Sequence, residues 1–311
     1  MDYLLIIAGF AILILGGNWL LKAAVSLSLR LDIPKIVIGM TVVSFATSAP
    51  ELIVSLNASL DGHPDIALGN VIGSNIANLG FVLGIVIIVS NIEVEKSFYI
   101  IDWPVMMLAS FVLYGFLAFD GQIQRWEGAV MFSMLIIFLV YLLLFQKTAV
   151  VDEMPEDDEV FTYGRTLGYL VLGGLGLWFG SELLIKGAVN LADEFGVSKR
   201  IIGVTIISIG TSIPELAASL IAVIKKEKAI SLGNLLGSNV FNILAVLGIT
   251  SMITPITADD QGLLDFDLIW MLLFALIVFP LVFAPVRMQL SWKEGLILIG
   301  SYVVFIAMLV G

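Results

Sequence analysis

The sequence predicts an all-α membrane protein of ten transmembrane helices, arranged as two five-helix repeats of inverted topology. Three observations lead to this fold class. Of the 311 residues, 59% are hydrophobic and 13% are charged, compared with roughly 45–50% and 25% in soluble domains. Ten apolar runs are long enough to cross the roughly 30 Å hydrocarbon layer of a bilayer. A set of short motifs also occurs twice at one fixed offset, which is typical of an internal repeat.

The ten candidate spans take up most of the chain. They cover residues 3–26, 35–60, 66–90, 99–119, 126–146, 163–190, 200–224, 229–254, 267–285 and 292–310. Several are separated by short turn signals such as Phe119-Asp120-Gly121, in which glycine follows a polar residue. No basic region precedes the first run, so we expect it to be a retained span and not a cleaved signal.

The repeat is exact in spacing. Gly39-Met40-Thr41 recurs as Gly203-Val204-Thr205, Thr-Ser-Ala-Pro-Glu at 47–51 recurs as Thr-Ser-Ile-Pro-Glu at 211–215, and the 69–78 segment recurs at 233–242, always 164 positions later. Because each half has an odd number of spans, the second half inserts upside down. We therefore assign the first repeat to 1–146 with its motif at 39–84, an acidic cytoplasmic linker to 147–162, and the second repeat to 163–311 with its motif at 203–248.

The distribution of Lys and Arg among the loops predicts the orientation. With ten spans, one side of the membrane collects ten basic residues and the other side four. The positive-inside rule places the richer side in the cytoplasm and both termini outside, in a multi-pass protein of the cell (plasma or inner) membrane. The linker carries six acidic residues around Pro155. We interpret it as a solvated connection, with a cation-binding regulatory segment as the alternative.

Composition excludes several functional classes. The chain has no cysteine and a single histidine, His63, so it lacks the ligands of a structural zinc cluster. A net charge of −11 argues against a nucleic-acid partner. An intramembrane hydrolase using Ser48 or Ser212 has no histidine partner nearby in sequence. We therefore expect a protein that is not an enzyme, uses no cofactor and binds cations.

Glu51 and Glu215 are the central candidates for that cation site. Each lies in the middle of a predicted span, where an unpaired charge costs several kcal/mol or more and marks a functional site by default. A structural alternative is a glutamate neutralised by a proton or by an internal lysine. However, the second, third, seventh and eighth spans have no Lys or Arg away from their ends.

Oxygen atoms dominate the predicted surroundings of both glutamates. Pro50 and Pro214 lack an N–H, so they free carbonyl groups one turn earlier, around 44–47 and 208–211. The candidate ligands in the first half are Ser44, Thr47, Ser48, Ser74 and Asn78, and those in the second half are Ser208, Thr211, Ser212, Ser238 and Asn242. Small polar residues also serve helix packing, but here they accompany a membrane-embedded glutamate in both halves.

An all-oxygen shell with two carboxylates suits hard cations. Ca²⁺ takes about six to eight oxygen ligands, whereas soft transition metals favour nitrogen and sulfur. Na⁺ is close to Ca²⁺ in size and can use the same ligands. Two glutamates supply a charge near −2, which matches one Ca²⁺ or two Na⁺, so we expect the two ions to compete for one site.

With these duplicated motifs, Thr-Ser-x-Pro-Glu and Gly-Ser-Asn-x-x-Asn, the chain resembles the cation/Ca²⁺ exchanger superfamily, specifically its prokaryotic Na⁺/Ca²⁺ exchanger branch. The resemblance implies a core of the second, third, seventh and eighth helices, crossed by the first and sixth as a sliding pair. It implies Glu51 and Glu215 as shared Ca²⁺ and Na⁺ ligands, and backbone carbonyls of Thr47 and Thr211 in the Ca²⁺ site. The remaining implied Na⁺ ligands are Ser48, Ser74, Ser212 and Ser238, with the carbonyls of Ser44 and Ser208.

Two departures from the family pattern are visible. Some relatives have Asp where Asn242 stands, which makes this site one potential charge poorer, and Ala46 replaces a glycine common in the first motif. We still expect Na⁺/Ca²⁺ antiport by alternating access, for which the resemblance implies three Na⁺ per Ca²⁺ and no required oligomer. The residues leave open a same-fold exchanger that uses H⁺, K⁺ or another divalent cation, and a cation channel.

Overall fold

The computed structural model describes residues 2–145, 160–195, 208–258 and 260–310. The fold is all-helical, as predicted. Its helices are α1 (Asp2–Leu31), α2 (Lys35–Leu60), α3 (Pro64–Val89), α4 (Phe98–Asp120), α5 (Arg125–Phe145), α6 (Tyr163–Glu194), α7 (Ser208–Gly210 followed by Ile213–Ile224), α8 (Lys228–Ile253), α9 (Leu263–Phe283) and α10 (Trp292–Val310).

Within the described residues, nine helices are long and apolar enough to span a membrane. The tenth, α7, corresponds to the predicted span 200–224, and its first residues lie outside the described part of the chain, together with Gly203-Val204-Thr205. The predicted linker 147–162 also lies outside it except for its last three residues. Of these, Thr162 caps α6 by accepting a hydrogen bond from the backbone N–H of Arg165.

The first and sixth helices pack as an antiparallel pair, so closely that their backbones are in contact at glycine positions. A Cβ atom added to Gly16 of α1 would lie 2.7 Å from the backbone nitrogen of Leu177, and one added to Gly173 of α6 would lie 2.6 Å from that of Leu20. Glycines at such a crossing let two helices approach closely inside lipid. The first and sixth helices therefore pack as a pair, and the sliding of this pair stays a prediction.

The core of the protein lies among α2, α3, α7 and α8. Most residues of α2, α3 and α8 are buried, whereas α1, α5, α6 and α10 turn most of their surface outward. Glycine again permits the closest crossing, between α2 and α8, where a Cβ on Gly39 would lie 2.5 Å from the carbonyl oxygen of Ile230. The predicted site residues all belong to these four buried helices.

Four two-residue strands join the two halves at the ends of the bundle. They are β1 (Ile92–Glu93), β2 (Gln122–Ile123), β3 (Ile256–Thr257) and β4 (Gln289–Leu290). Strand β1 pairs antiparallel with β4, and β2 pairs antiparallel with β3. Each pair therefore joins a loop of one half to a loop of the other half.

This strand pairing reflects the inverted topology. Loops that pair must lie on one face of the membrane, and six helices separate β1 from β4 while four separate β2 from β3. Strands β1 and β3 are repeat mates, since Ile92 and Ile256 are 164 positions apart, and five helices separate them. The mates therefore lie on opposite faces, as two inverted halves require.

Candidate functional site

The two predicted glutamates are both buried in the helix bundle, near one another. Glu51 lies on α2 and is 2% exposed, and Glu215 lies in the first turn of the longer segment of α7 and is 0% exposed. They are close enough for the charge of Glu215 to act directly on Glu51. Neither carboxylate has a cationic or hydrogen-bonding partner of normal geometry in the described part of the chain.

The backbone carrying the two glutamates differs between the halves. In α2 the α-helix runs unbroken over Ser44–Leu60 with Pro50 inside it. In α7 a turn interrupts the helix between Gly210 and Ile213. The carbonyl groups expected to be freed before the two prolines therefore lie in a continuous helix in the first half and in an interrupted helix in the second. The physical reason is the residue four positions before each proline: Ala46 favours helix, whereas Gly210 permits the break.

The carbonyl that Pro214 releases has a partner of its own. Because Pro214 lacks an N–H, it cannot bond to the carbonyl oxygen of Gly210. The Ser181 hydroxyl of α6 donates to that oxygen at 3.1 Å. The repeat mate of Ser181 is Gly17, which has no side chain to offer the corresponding oxygen of Ala46. This contact thus ties helix α6 to the interruption in α7.

Hydroxyl pairs link each half to the other beside the glutamates. Thr47 of α2 lies 3.2 Å from Ser238 of α8, and Ser74 of α3 lies 3.4 Å from Thr211 of α7. The two pairs are exact repeat mates. Thr47 also lies near Glu215. The single hydroxyl hydrogen of Thr47 has other acceptors, among them the Asn234 side-chain oxygen at 3.2 Å. In the described residues, the Glu215 oxygens have no hydrogen-bond partner of normal geometry.

A second layer of polar residues supports these pairs. Asn70 donates to the Ser55 hydroxyl and its mate Asn234 donates to the Ser219 hydroxyl, both at 3.0 Å. The Ser44 hydroxyl lies 2.9 Å from the backbone oxygen of Asn234. None of these except Ser44 was among the predicted site residues. Their signal was present in the sequence, because each mate pair lies 164 positions apart.

Asn78 and Asn242 each begin a wide π-helical turn, over Asn78–Val82 in α3 and Asn242–Leu247 in α8. Such turns recur at functional sites. Both asparagines are 0% exposed. In the described residues, the side-chain oxygen of each has no hydrogen-bond partner. The Asn242 side-chain nitrogen does have one, the Oδ1 atom of Asn75 at 3.1 Å.

Several buried oxygen atoms therefore remain unsatisfied in one region. Within the described residues they are the carboxylates of Glu51 and Glu215, the hydroxyls of Ser48 and Ser212, and the amide oxygens of Asn78 and Asn242. An unsatisfied buried polar atom costs about 1–3 kcal/mol and a charged one more. Hard cations would satisfy all of them at once. Ser208 starts the described part of α7, and its side chain lies outside the description.

The chain is similar to known membrane exchangers over nearly its whole length. The profile of the family "Sodium/calcium exchanger protein" matches residues 1–144 and 165–311. The putative antiporter CaxA of Alkalimonas amylolytica is 37% identical over 96% of this chain and 95% of that protein. The sodium/calcium exchanger MaX1 of Methanosarcina acetivorans is 27% identical over 99% of this chain and 98% of its own.

A solved structure also shares the whole fold. The sodium/calcium exchanger from Methanococcus jannaschii superposes with a TM-score of 0.81 at 26% sequence identity, covering 98% of this chain and 97% of that chain. The similarity thus extends over both halves.

Proposed function

This chain belongs to the sodium/calcium exchanger protein family and is a multi-pass membrane cation/Ca²⁺ antiporter, not an enzyme; we propose that the two ions it exchanges are Na⁺ and Ca²⁺, by alternating access. The supporting relatives are named for sodium/calcium exchange. Three Na⁺ per Ca²⁺ is the stoichiometry that the family resemblance implies.

One observation carries the proposal: in the described part of the chain, two neighbouring buried carboxylates have no hydrogen-bond partner and no ion pair with a cationic side chain. Two negative charges in a low-dielectric region are strongly unfavourable unless cations compensate them. One Ca²⁺ or a pair of Na⁺ ions would cancel a charge of −2. Competition between unlike ions for the same carboxylates is what an exchanger requires.

The same electrostatics couples the two ion movements. An empty site with two ionised glutamates resists the occluded state, in which water cannot reach it, whereas either cation load lowers that barrier. The site therefore becomes accessible from the opposite side of the membrane when it holds cations, and not when it is empty. We propose that the halves 1–146 and 163–311 supply the two alternating arrangements, as inverted repeats do in other antiporters.

The proposed ligands follow the duplicated motifs. Glu51 and Glu215 bind both ions, and backbone carbonyls of Thr47 and Thr211 complete the Ca²⁺ site. The Na⁺ ligands are Ser48, Ser74, Ser212 and Ser238 together with the carbonyls of Ser44 and Ser208, and Asn78 and Asn242 supply amide oxygens. We further propose the cell membrane as the location, with both termini outside.

The decisive experiment is ⁴⁵Ca²⁺ uptake into proteoliposomes containing the purified full-length chain. Vesicles loaded with Na⁺ and diluted into Na⁺-free buffer should take up Ca²⁺, and replacing internal Na⁺ with choline should abolish uptake. Uptake driven by an internal H⁺ or K⁺ gradient instead would assign a different driving ion. Uptake without any counter-ion would identify a channel and refute antiport for this chain.

A further inference from the structure

Asn75 lies at the crossing of α3 and α8, and it is absent from the proposed ligand set. It is 1% exposed. Its side-chain nitrogen donates to the backbone oxygen of Asn239 at 3.2 Å and lies 3.8 Å from the sulfur of Met271. Its side-chain oxygen accepts from the Asn242 amide at 3.1 Å. Both ends of this amide are therefore in use.

The bonds of Asn75 have a fixed polarity. A backbone carbonyl only accepts hydrogen bonds, so the Asn75 atom facing Asn239 must be the NH₂ group. The other end of Asn75 is then an oxygen, which only accepts, so the atom of Asn242 that faces it must be an NH₂ group too. Rotation of either amide by 180° would place like groups together.

These two hydrogen bonds of Asn75 determine which end of the Asn242 side-chain amide remains free. With its nitrogen held by Asn75, the Asn242 oxygen points away into the buried region where it has no partner among the described residues. A cation requires that oxygen, because an NH₂ group carries partial positive charge on its hydrogens. Without such a constraint the amide can turn its NH₂ group toward the buried carboxylates, which accept hydrogen bonds, and this wrong orientation is then favoured.

We propose that Asn75 is a positioning residue for ion exchange: it orients the Asn242 amide so that its oxygen, and not its nitrogen, faces the transported cation. The inference rests on the proposed function, because it assigns Asn242 as an ion ligand. Asn75 itself touches no ion in this arrangement. It acts only through Asn242.

The repeat mate of Asn75 is bonded differently. Asn239 is equally buried, at 1%, but its side-chain nitrogen donates to the Leu235 carbonyl of its own helix at 2.7 Å. In the described residues its side-chain oxygen has no partner, and neither amide atom of Asn78 has one. Among the described residues, Asn75 thus holds the side-chain amide of Asn242, whereas its mate Asn239 does not hold that of Asn78. Asn239 is therefore a matched control for substitution of Asn75.

A double-mutant cycle tests the proposal. The purified full-length chain, Asn75→Ala, Asn242→Ala and the double variant are compared for Na⁺-driven ⁴⁵Ca²⁺ uptake. We expect Asn75→Ala to raise the KM for Ca²⁺ about ten- to hundredfold, the usual range for partners of metal ligands, with a smaller change in maximal rate. The double variant should be no worse than Asn242→Ala, whereas Asn239→Ala combined with Asn242→Ala should give multiplied effects.

A second variant separates orientation from packing. Asn242→Asp presents an oxygen in either orientation, so it needs no positioning. One carboxylate oxygen then faces the Asn75 oxygen, so in that background Asn75→Ala removes an unfavourable contact and should not raise the KM for Ca²⁺. A tenfold or larger rise there, or independent effects of Asn75→Ala and Asn242→Ala, would show that Asn75 only packs α3 against α8 and would overturn the proposal.

The two proposals fail in different ways. A wild-type chain without Na⁺-driven Ca²⁺ uptake refutes the proposed function. A wild-type chain that exchanges the ions, together with an Asn75→Ala variant whose KM for Ca²⁺ is unchanged, refutes the positioning role alone. Elution of each variant as a single peak on size-exclusion chromatography excludes misfolding as the cause of a lost signal.

Discussion

The Thr47 hydroxyl of α2 lies 3.2 Å from the Ser238 hydroxyl of α8, and this contact crosses from the first half of the chain to the second. Its repeat mate, Ser74 to Thr211, crosses in the opposite direction at 3.4 Å. Each half therefore contributes to both sides of the site. A movement of either half relative to the other must change the surroundings of both glutamates, which is the coupling that alternating access requires.

Replacing either central glutamate should abolish exchange. Glu51→Gln or Glu215→Gln leaves one negative charge, which cannot balance Ca²⁺ in a buried site. We expect Na⁺-driven ⁴⁵Ca²⁺ uptake by either variant to fall to the level of empty liposomes. Glu182, which is exposed on α6, provides the control, and Glu182→Gln should retain full uptake. Persistent uptake in either central variant would reject the assignment.

The break in α7 should be required for transport. A Cβ added to Gly210 would lie 2.7 Å from the Cδ1 atom of Ile185 on α6, and alanine also favours a continuous helix. Gly210→Ala should therefore slow exchange several-fold. Initial rates of ⁴⁵Ca²⁺ uptake measure this effect.

The mate position supplies the opposite change as a control. Ala46→Gly weakens a helix that is unbroken in α2, and should lower stability by about 0.5–1 kcal/mol while exchange continues. Thermal unfolding monitored by circular dichroism measures the stability. Equal transport by Gly210→Ala and wild type would show that the break has no role.

The sequence predicted the duplicated motif and therefore the meeting of Glu51 with Glu215, because one offset relates every residue of the site. It did not predict the difference between α2 and α7, since both contain the same Thr-Ser-x-Pro-Glu motif and the exchange of Ala46 for Gly210 is one of several differences around it. The role of Asn75 was also hidden. The orientation of an amide depends on which tertiary acceptor it meets, here the backbone oxygen of Asn239.

Other contacts have no local sequence signal. The strands that join the halves are only two residues long, which is too short for an alternating pattern. The ion pair between Lys35 and Glu227 joins positions 192 residues apart, and the repeat does not predict it, because the mate of Glu227 is His63. Such contacts become visible only when the two halves are packed together.

Protons should compete with Ca²⁺ at the two glutamates. A proton on either carboxylate removes charge that the divalent ion needs, so lowering pH should raise the KM for Ca²⁺, and saturating Ca²⁺ should restore the rate. Uptake measured at several Ca²⁺ concentrations between mildly acid and alkaline pH tests this. A KM that stays flat across that range would contradict a site built on Glu51 and Glu215.

Breaking the Lys35–Glu227 ion pair should favour opening of the bundle on that face. Lys35 begins α2 and Glu227 precedes α8, and their charged atoms lie 2.8 Å apart with side chains 29% and 10% exposed. Their repeat mates are Lys199 and His63, and since neither is acidic, these two positions cannot form the same ion pair with one another. We therefore expect the pair to stabilise closure of the face on which it lies.

Glu227→Gln should lower the apparent KM for Ca²⁺ presented at that face severalfold, because a partly exposed pair is worth up to about 1 kcal/mol and the accessible state gains that much population. Uptake assays in vesicles of each orientation measure the two faces separately. Lys225→Ala, which removes an exposed charge nearby, should change neither face. The charge-swapped double variant Lys35→Glu/Glu227→Lys reforms the ion pair with reversed polarity, so it should restore the wild-type difference in KM for Ca²⁺ between the two faces. If that difference is not restored, the ion pair does not determine which face is favoured.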